Sequence, residues 1–292
     1  MDNRSILMTI GEKYEKNILN NTFSESLDTN LDLVGIITLK NGNIFFTDEF
    51  NNSRKILWNE NVRPGFLCSG LVMRIIGKKQ MDFGKPTNII VSDYKFPSLV
   101  IKRDFVVTSP IAICHTLSSK DKINSIAKNS SMTDIFIMGA NSDKRLVDVL
   151  NHLFTISQKK FHFMPGDRDL ISTNLPLTFF GFKNHRNVLM KENPHQHEGV
   201  LFLNRKNHLE KMITNSNLKI TIIEMMKLIY DSKQVFPSGR ITRRKEIAHD
   251  ATLLICDGNE LHVEKYKECV LIILPPEKLL ILEKNTHRFV NL

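Results

Sequence analysis

Hydrophobic residues change their spacing twice along this chain, and each spacing predicts a different kind of structure. In "ILMTIGEKYEKNIL", Ile6, Ile10, Tyr14 and Ile18 recur every four residues, which predicts an amphipathic helix in a polar lead-in over residues 1–31. From Leu31 the period shortens. "LDLVGIITLKNGNIFFTDEF" holds two apolar runs around Asn41-Gly42, a pair suited to the positive φ angles of a tight hairpin. "SRKILW", "GFLCSGLVMRIIGKK" and "NIIVSDYKFP" follow, with Gly65, Gly70 and Gly77 where a strand bends or turns. After Val100 the runs become apolar throughout: "DFVVTSPIAI", "DIFIMGA", "KFHFMPG", "GVLFL", "ATLLICDG" and "CVLIILPP". Helical patterns interrupt them at "KRLVDVLNHLF" and "IIEMMKLIY". In the second of these, Ile222, Met225, Met226, Ile229 and Tyr230 share a face, so its methionines read as core.

Five short strands predict a small Greek-key barrel of the OB type over residues 32–99, ending in the linker-like "KFPSLV". Strands apolar on both faces, separated by amphipathic helices, predict a layered α/β domain over residues 100–292.

Composition narrows the classes. With 292 residues, 41% hydrophobic and 24% charged, the chain has the make-up of a soluble globular protein. Its longest apolar runs are strand-length, so no membrane helix is expected. The opening "MDNRSILMTIGEKYEK" lacks a signal-peptide layout, and a cytosolic or nuclear location is expected. Cys68, Cys114, Cys256 and Cys269 form no C-x-x-C pair, which argues for buried small hydrophobes over a disulfide framework or zinc ribbon. A net charge of +9 favours approach to polyanions. The one dense basic cluster, "GRITRRKE" with Arg240, Arg243 and Arg244, is a nucleic-acid contact or a solvated loop.

Candidate chemistry gathers where apolar runs pass straight into polar turns: "FIMGANSD", "FHFMPGDRD" and "LLICDGNELH". In open α/β sheets, ligands bind beyond the carboxyl ends of strands. A calcineurin-like phosphoesterase holds two metals on such loops, through the series D-x-H, G-D-x-x-D, G-N-H-D/E, a lone His and G-H-x-H. This sequence resembles that series in order and fails it in nearly every ligand. The first position offers Thr108, Ser109 and Pro110, and the second has Ala140 and Asn141 where a bridging carboxylate belongs. In the third, Gly166-Asp167-Arg168-Asp169 puts Arg168 where the family has a catalytic His, and a guanidinium stays charged near neutral pH. His195 or His197 matches the fourth, while Gly258-Asn259 displaces His262 in the fifth. The expectation is therefore no catalysis, metal or cofactor. Asp167, Asp169, His195, His197, Asn259 and His262 remain as the material for an alternative metal site.

A barrel followed by a disarmed phosphoesterase sandwich resembles the second (B) subunit of eukaryotic replicative DNA polymerases, most closely that of polymerase delta. "IIVSDYKFPSL" resembles that subunit's closing barrel strand, and "FTDEFNNSRKILW" an earlier one. "MPGDRDLISTNLP", "NPHQHEGVLFL" and "LLICDGNELH…VLIILPP" resemble its later segments in order, with Asp257 as an extra residue. The epsilon counterpart is similar at "LVGIITLKNGNIFFTDEF" and "LFLNRKNHLEKMI". The resemblance implies a non-catalytic nuclear scaffold for DNA replication. It would bind the Cys-rich C-terminal domain of the catalytic subunit and a third subunit, and meet DNA through the complex. The rival is a single-stranded nucleic-acid binder using Phe45, Phe46, Trp58 and Tyr94 beside Arg54, Lys55 and Arg74. Adjacent on one strand, Phe45 and Phe46 point to opposite faces, so one of them belongs to the core.

Overall fold

The computed structural model describes residues 30–48, 50–62, 64–82, 85–96, 107–115, 126, 132–139, 159–166, 177–178, 187–215, 219–235, 250–284 and 286–292. The expected N-terminal helix and the basic cluster at Arg240, Arg243 and Arg244 lie outside these residues, as do Ala140, Asn141, Asp167, Arg168 and Asp169. The chain divides into two compact units: Met1–Lys102 with Met212–His249, and Arg103–Lys211 with Asp250–Leu292. The linear reading placed Met212–His249 in the second domain; by contacts it groups with the barrel.

In the first unit, β1 (Asn30–Lys40), β2 (Asn43–Thr47), β3 (Ser53–Trp58), β4 (Val72–Asp82) and β5 (Lys85–Lys95) close a barrel in the order β1-β2-β3-β5-β4. β3 and β5 pair in parallel, while the other neighbours are antiparallel. The sequence dictates the first turn directly. Asn41 and Gly42 take φ of 51° and 73°, the geometry of a two-residue hairpin between Lys40 and Asn43. Buried Asp48 organises the next loop, its carboxylate accepting from the Phe50 and Asn52 amides and from the Asn52 side chain.

Alternation fills the barrel with Leu33, Phe46, Ile56, Met73, Ile75, Ile89 and Val91. Two glycines make that packing feasible. A Cβ on Gly35 would lie 2.6 Å from the Phe46 ring, and one on Gly77 would lie 2.2 Å from the Ile90 carbonyl oxygen. Gly77 also sits at a register shift between β4 and β5, where the strand coils to close the barrel. Because the obstacle at Gly77 is main chain, Gly77→Ala is expected to destabilise by about 1–3 kcal/mol, read as a lower urea midpoint.

The same unit holds α2 (Ile222–Ser232), which follows the short α1 (Lys211–Asn215). Thr221 and Glu224 form a reciprocal capping box at its start, and Lys233 ends it in the left-handed conformation. Met225, Met226 and Ile229 are buried, as the periodicity predicts. Just beyond, the buried Gln234 side chain accepts from the Val72 amide (2.8 Å) and donates to the Val72 carbonyl (2.7 Å), tying this segment to β4.

The second unit is a sandwich of two mixed sheets. One is ordered β16-β15-β6-β7-β8-β9, from β6 (Ile111–His115), β7 (Asp134–Met138), β8 (Lys160–Met164), β9 (Val188–Met190), β15 (Lys278–Glu283) and β16 (Thr286–Asn291). The other is ordered β10-β11-β12-β14-β13, from β10 (His195–His197), β11 (Val200–Leu203), β12 (Leu253–Asp257), β13 (His262–Tyr266) and β14 (Cys269–Leu274). Central strands β6 to β9 are parallel, as are β11, β12 and β14, which explains their unbroken apolar runs. Ile111, Ile113, Phe136 and Leu280 of one sheet meet Val200, Phe202, Ile255 and Ile272 of the other in a shared core. Ala112, Cys114, Ile135, Ile137, Phe161 and Phe163 pack in a second cluster on the first sheet's other face. All four cysteines are free and buried, and burial pushes the Cys68 thiol pKa up.

Candidate functional site

Parallel strands β6, β7, β8, β11 and β12 deliver their carboxyl ends to one end of the sandwich, where the buried polar side chains include Asn193, Asn204 and Asp257. Asp257 is the last residue of β12. Its Oδ1 accepts from the Arg205 amide at 2.8 Å, and its Oδ2 lies 3.9 Å from Nε2 of His115, the last residue of β6. Asn204 follows β11 directly and caps a π-helical turn, Arg205–Glu210, by accepting from the Asn207 amide at 2.6 Å. The Asn193 side chain donates to the Pro165 carbonyl at 3.0 Å, just beyond β8, and its own buried Oδ1 finds no hydrogen-bond partner among the described residues. One polar seam thus joins the ends of β6, β8, β11 and β12.

Burial lowers the His115 pKa to about 4, Glu277 opposing this and Arg205 assisting it. At neutral pH, His115 beside Asp257 is therefore a neutral imidazole near a carboxylate, despite ion-pair proximity.

A two-metal phosphoesterase centre requires several carboxylates and imidazoles converging on a shared pair of cations. Among the described residues, no three His, Cys, Asp or Glu side chains are arranged to hold a metal ion. The described strand ends supply one imidazole, one carboxylate already engaged by an amide, and two carboxamides, a set that does not fit a two-metal centre.

Of the residues singled out in the sequence, those that are described are not brought together. Ser109 precedes β6 and lies at its amino end, because Pro110 falls immediately before the strand and the strand runs on to His115. His195 and His197 sit in β10 and face the sandwich interior, opposite Phe202 and Val200. His262 stands on β13 beside Ile273 of β14, on the other face and four strands away, roughly 19 Å at 4.8 Å per strand. His195 and His262 therefore cannot ligate one cation. Asn259 is exposed, whereas Gly258 is buried, with Ile273 occupying the space of a Cβ. Gly166 is buried two residues beyond the end of β8.

Sequence reasoning missed His115, Asn193, Asn204 and Asp257. Three of these directly end or follow an apolar run ("IAICH", "VLFLN", "LLICD"), the signal that locates them. It also missed His162 within "KFHFM". His162 Nε2 donates to Asp134 Oδ1 at 2.6 Å, and its ring stacks on Phe136 with centroids 4.3 Å apart. His197 lies against Phe136 as well, and His195 stacks on Phe202. Burial lowers the pKa values of His162, His195 and His197, that of His195 to about 3. Burial would raise the Asp134 carboxyl, but hydrogen bonds from His162 and Thr133 leave it below its ordinary value. These histidines serve as neutral aromatic members of the core.

On the barrel, Arg74 holds Asp32 in a bidentate pair with both contacts at 2.7 Å, which lowers the Asp32 pKa. Its charge is thus already matched. Phe46 is in the core. Trp58 and Tyr94 pair with buried Val91 and Ile75 and pack edge to face, centroids 5.7 Å apart. Arg54 is level with Phe46, whereas Phe45 and Lys55, directly opposite each other, share the outer face.

These features define a chain with a closed five-stranded barrel and a two-sheet α/β sandwich. No protein-family model matches it, and neither does any curated protein. Among solved structures it is similar to Vps29 of Chaetomium thermophilum, at 9% sequence identity and a TM-score of 0.32. That match covers 63% of this chain and 94% of the other. None of the described helices is long and apolar enough to cross a membrane.

Proposed function

We propose that this chain is a non-catalytic accessory subunit of a B-family replicative DNA polymerase, of the delta type, acting in the nucleus. In this reading the barrel is of the OB type, and the sandwich is a calcineurin-like phosphoesterase fold that has lost its metal ligands. The subunit binds the Cys-rich C-terminal domain of the catalytic subunit and a third subunit, meets DNA through the complex, and uses no cofactor.

One observation carries the reading: the described polar side chains at the strand ends of the sandwich are engaged in structural hydrogen bonds. Asp257 is committed to the Arg205 amide, Asn204 to a helical cap, and Asn193 to the Pro165 carbonyl. A fold kept while its strand ends are given over to internal contacts is consistent with demand for surface over chemistry. The barrel order β1-β2-β3-β5-β4, with β3 parallel to β5, agrees with the OB assignment.

Two experiments test the proposal. The tagged chain is expected to recover a B-family catalytic subunit from its own cells, and that subunit's identity separates delta from epsilon. The purified chain is expected to hydrolyse a generic phosphodiester in manganese no faster than manganese alone. Turnover abolished by Asp257→Asn would overturn the non-catalytic reading.

A further inference from the structure

Strand alternation should leave polar residues on the outside of the barrel, and at one place it does not. Ile56, Ile89 and Val91 point inward and are buried, so their neighbours Leu57 and Ile90 point out. These two are direct partners across the parallel β3–β5 pair and are 37% and 43% exposed. One rung away on the same face, half-buried Phe45 stands opposite Lys55, and Lys55 opposite Asn88. On β4, Lys78 is the direct partner of Ile90, and Gln80 is the partner of Asn88. The Asn88 and Gln80 side chains bond each other at 2.8 Å, so this edge is already satisfied.

The two rungs therefore present Phe45, Leu57 and Ile90 with an ammonium on either side, and no carboxylate occupies any of these positions. Single exposed aliphatics are ordinary, but an opposed pair beside a ring and framed by lysines has the make-up of an interface centre with a charged rim.

We infer that this outer face of β2, β3, β5 and β4 docks an acidic, amphipathic protein segment, its apolar side chains on Leu57 and Ile90 and its carboxylates on Lys55 and Lys78. Nucleic acid is the poorer fit. Single strands are held by successive aromatic platforms beside cations. Here Trp58, Tyr94 and Phe96 pack edge to face on one another, and Arg74 is neutralised by Asp32, leaving Phe45 as the one ring on these rungs. The inference rests on the assembly-subunit reading only in expecting a protein partner.

The test uses the full chain and three fluorescent probes: a short peptide alternating leucine or phenylalanine with glutamate, the same peptide with lysine for glutamate, and oligothymidylate. The acidic peptide is expected to bind and the lysine peptide not to. Both Leu57→Ser/Ile90→Ser and Lys55→Glu/Lys78→Glu are expected to weaken the acidic peptide at least about tenfold. Unfolding midpoints near that of the parent establish that the variants fold. Co-purification of the catalytic subunit, followed in parallel, separates this proposal from the broader one. If the catalytic subunit is retained while the acidic peptide fails to bind, the docking surface alone falls. Peptide binding indifferent to both double variants, or oligothymidylate binding that they abolish, also overturns it.

Discussion

Phe136→Ala is expected to cost about 3–5 kcal/mol, a large share of the roughly 5–15 kcal/mol that holds a domain folded. Phe136 is fully buried on the inner face of β7, where the two sheets of the sandwich meet. Its ring is stacked between His162 of its own sheet, at 4.3 Å, and Phe202 of the other, at 4.9 Å, with His197 alongside at 4.8 Å. Truncation removes the ring and leaves a cavity lined by two imidazoles. Neither can collapse inward freely, because His162 is held by Asp134 and His197 by its strand. Phe136→Leu keeps most of the volume and is expected to cost much less. Urea denaturation of both variants checks this, and equal losses would contradict it.

Acidification is expected to destabilise the protein steeply from about pH 6.5 downward. Burial holds His115 at about 4 and His195 at about 3, from an ordinary value of 6.5. Above 6.5 both are neutral whether the chain is folded or not, so they add no pH dependence. Below it the unfolded chain takes up protons that the folded chain refuses, and stability falls with pH. Each histidine contributes about 1.4 kcal/mol per pH unit until its folded pKa is reached. His162 and His197 shift in the same direction. Asp134, held low, adds a further loss below its ordinary 3.8. His195→Phe keeps a ring against Phe202 and removes one titrating group. It is expected to fold and to flatten the dependence of the unfolding free energy on pH; an unchanged slope would show that His195 is not protected from protonation.

The barrel was legible because its information is local. Asn41-Gly42 fixes a hairpin by backbone conformation, and alternation around Phe46, Ile56 and Ile89 fixes which face is inside. The parallel strands of the sandwich were legible for the opposite reason: burial on both faces leaves runs such as "LLICD" without polar interruption. Less was readable where a strand sits at an edge. β13 and β16, with mostly exposed residues in "HVEKY" and "THRFVN", carry no continuous apolar signal. The site suffered from a boundary error of a few residues. Taking "FVVTSPIAI" as one strand gives the first ligand position to Thr108, Ser109 and Pro110, whereas these precede the true strand and His115 ends it. The histidines of "HQH" looked like ligands because sequence does not reveal that their strand turns them into an aromatic core beside Phe136 and Phe202.

The central claim is that this chain is a structural partner of a polymerase. The most direct measurement is co-expression with the Cys-rich C-terminal domain of a B-family catalytic subunit, followed by size exclusion with light scattering. A stable equimolar complex that survives dilution is the predicted result. Two separate peaks at every concentration, with metal-dependent phosphodiester hydrolysis in the peak holding this chain, would contradict it.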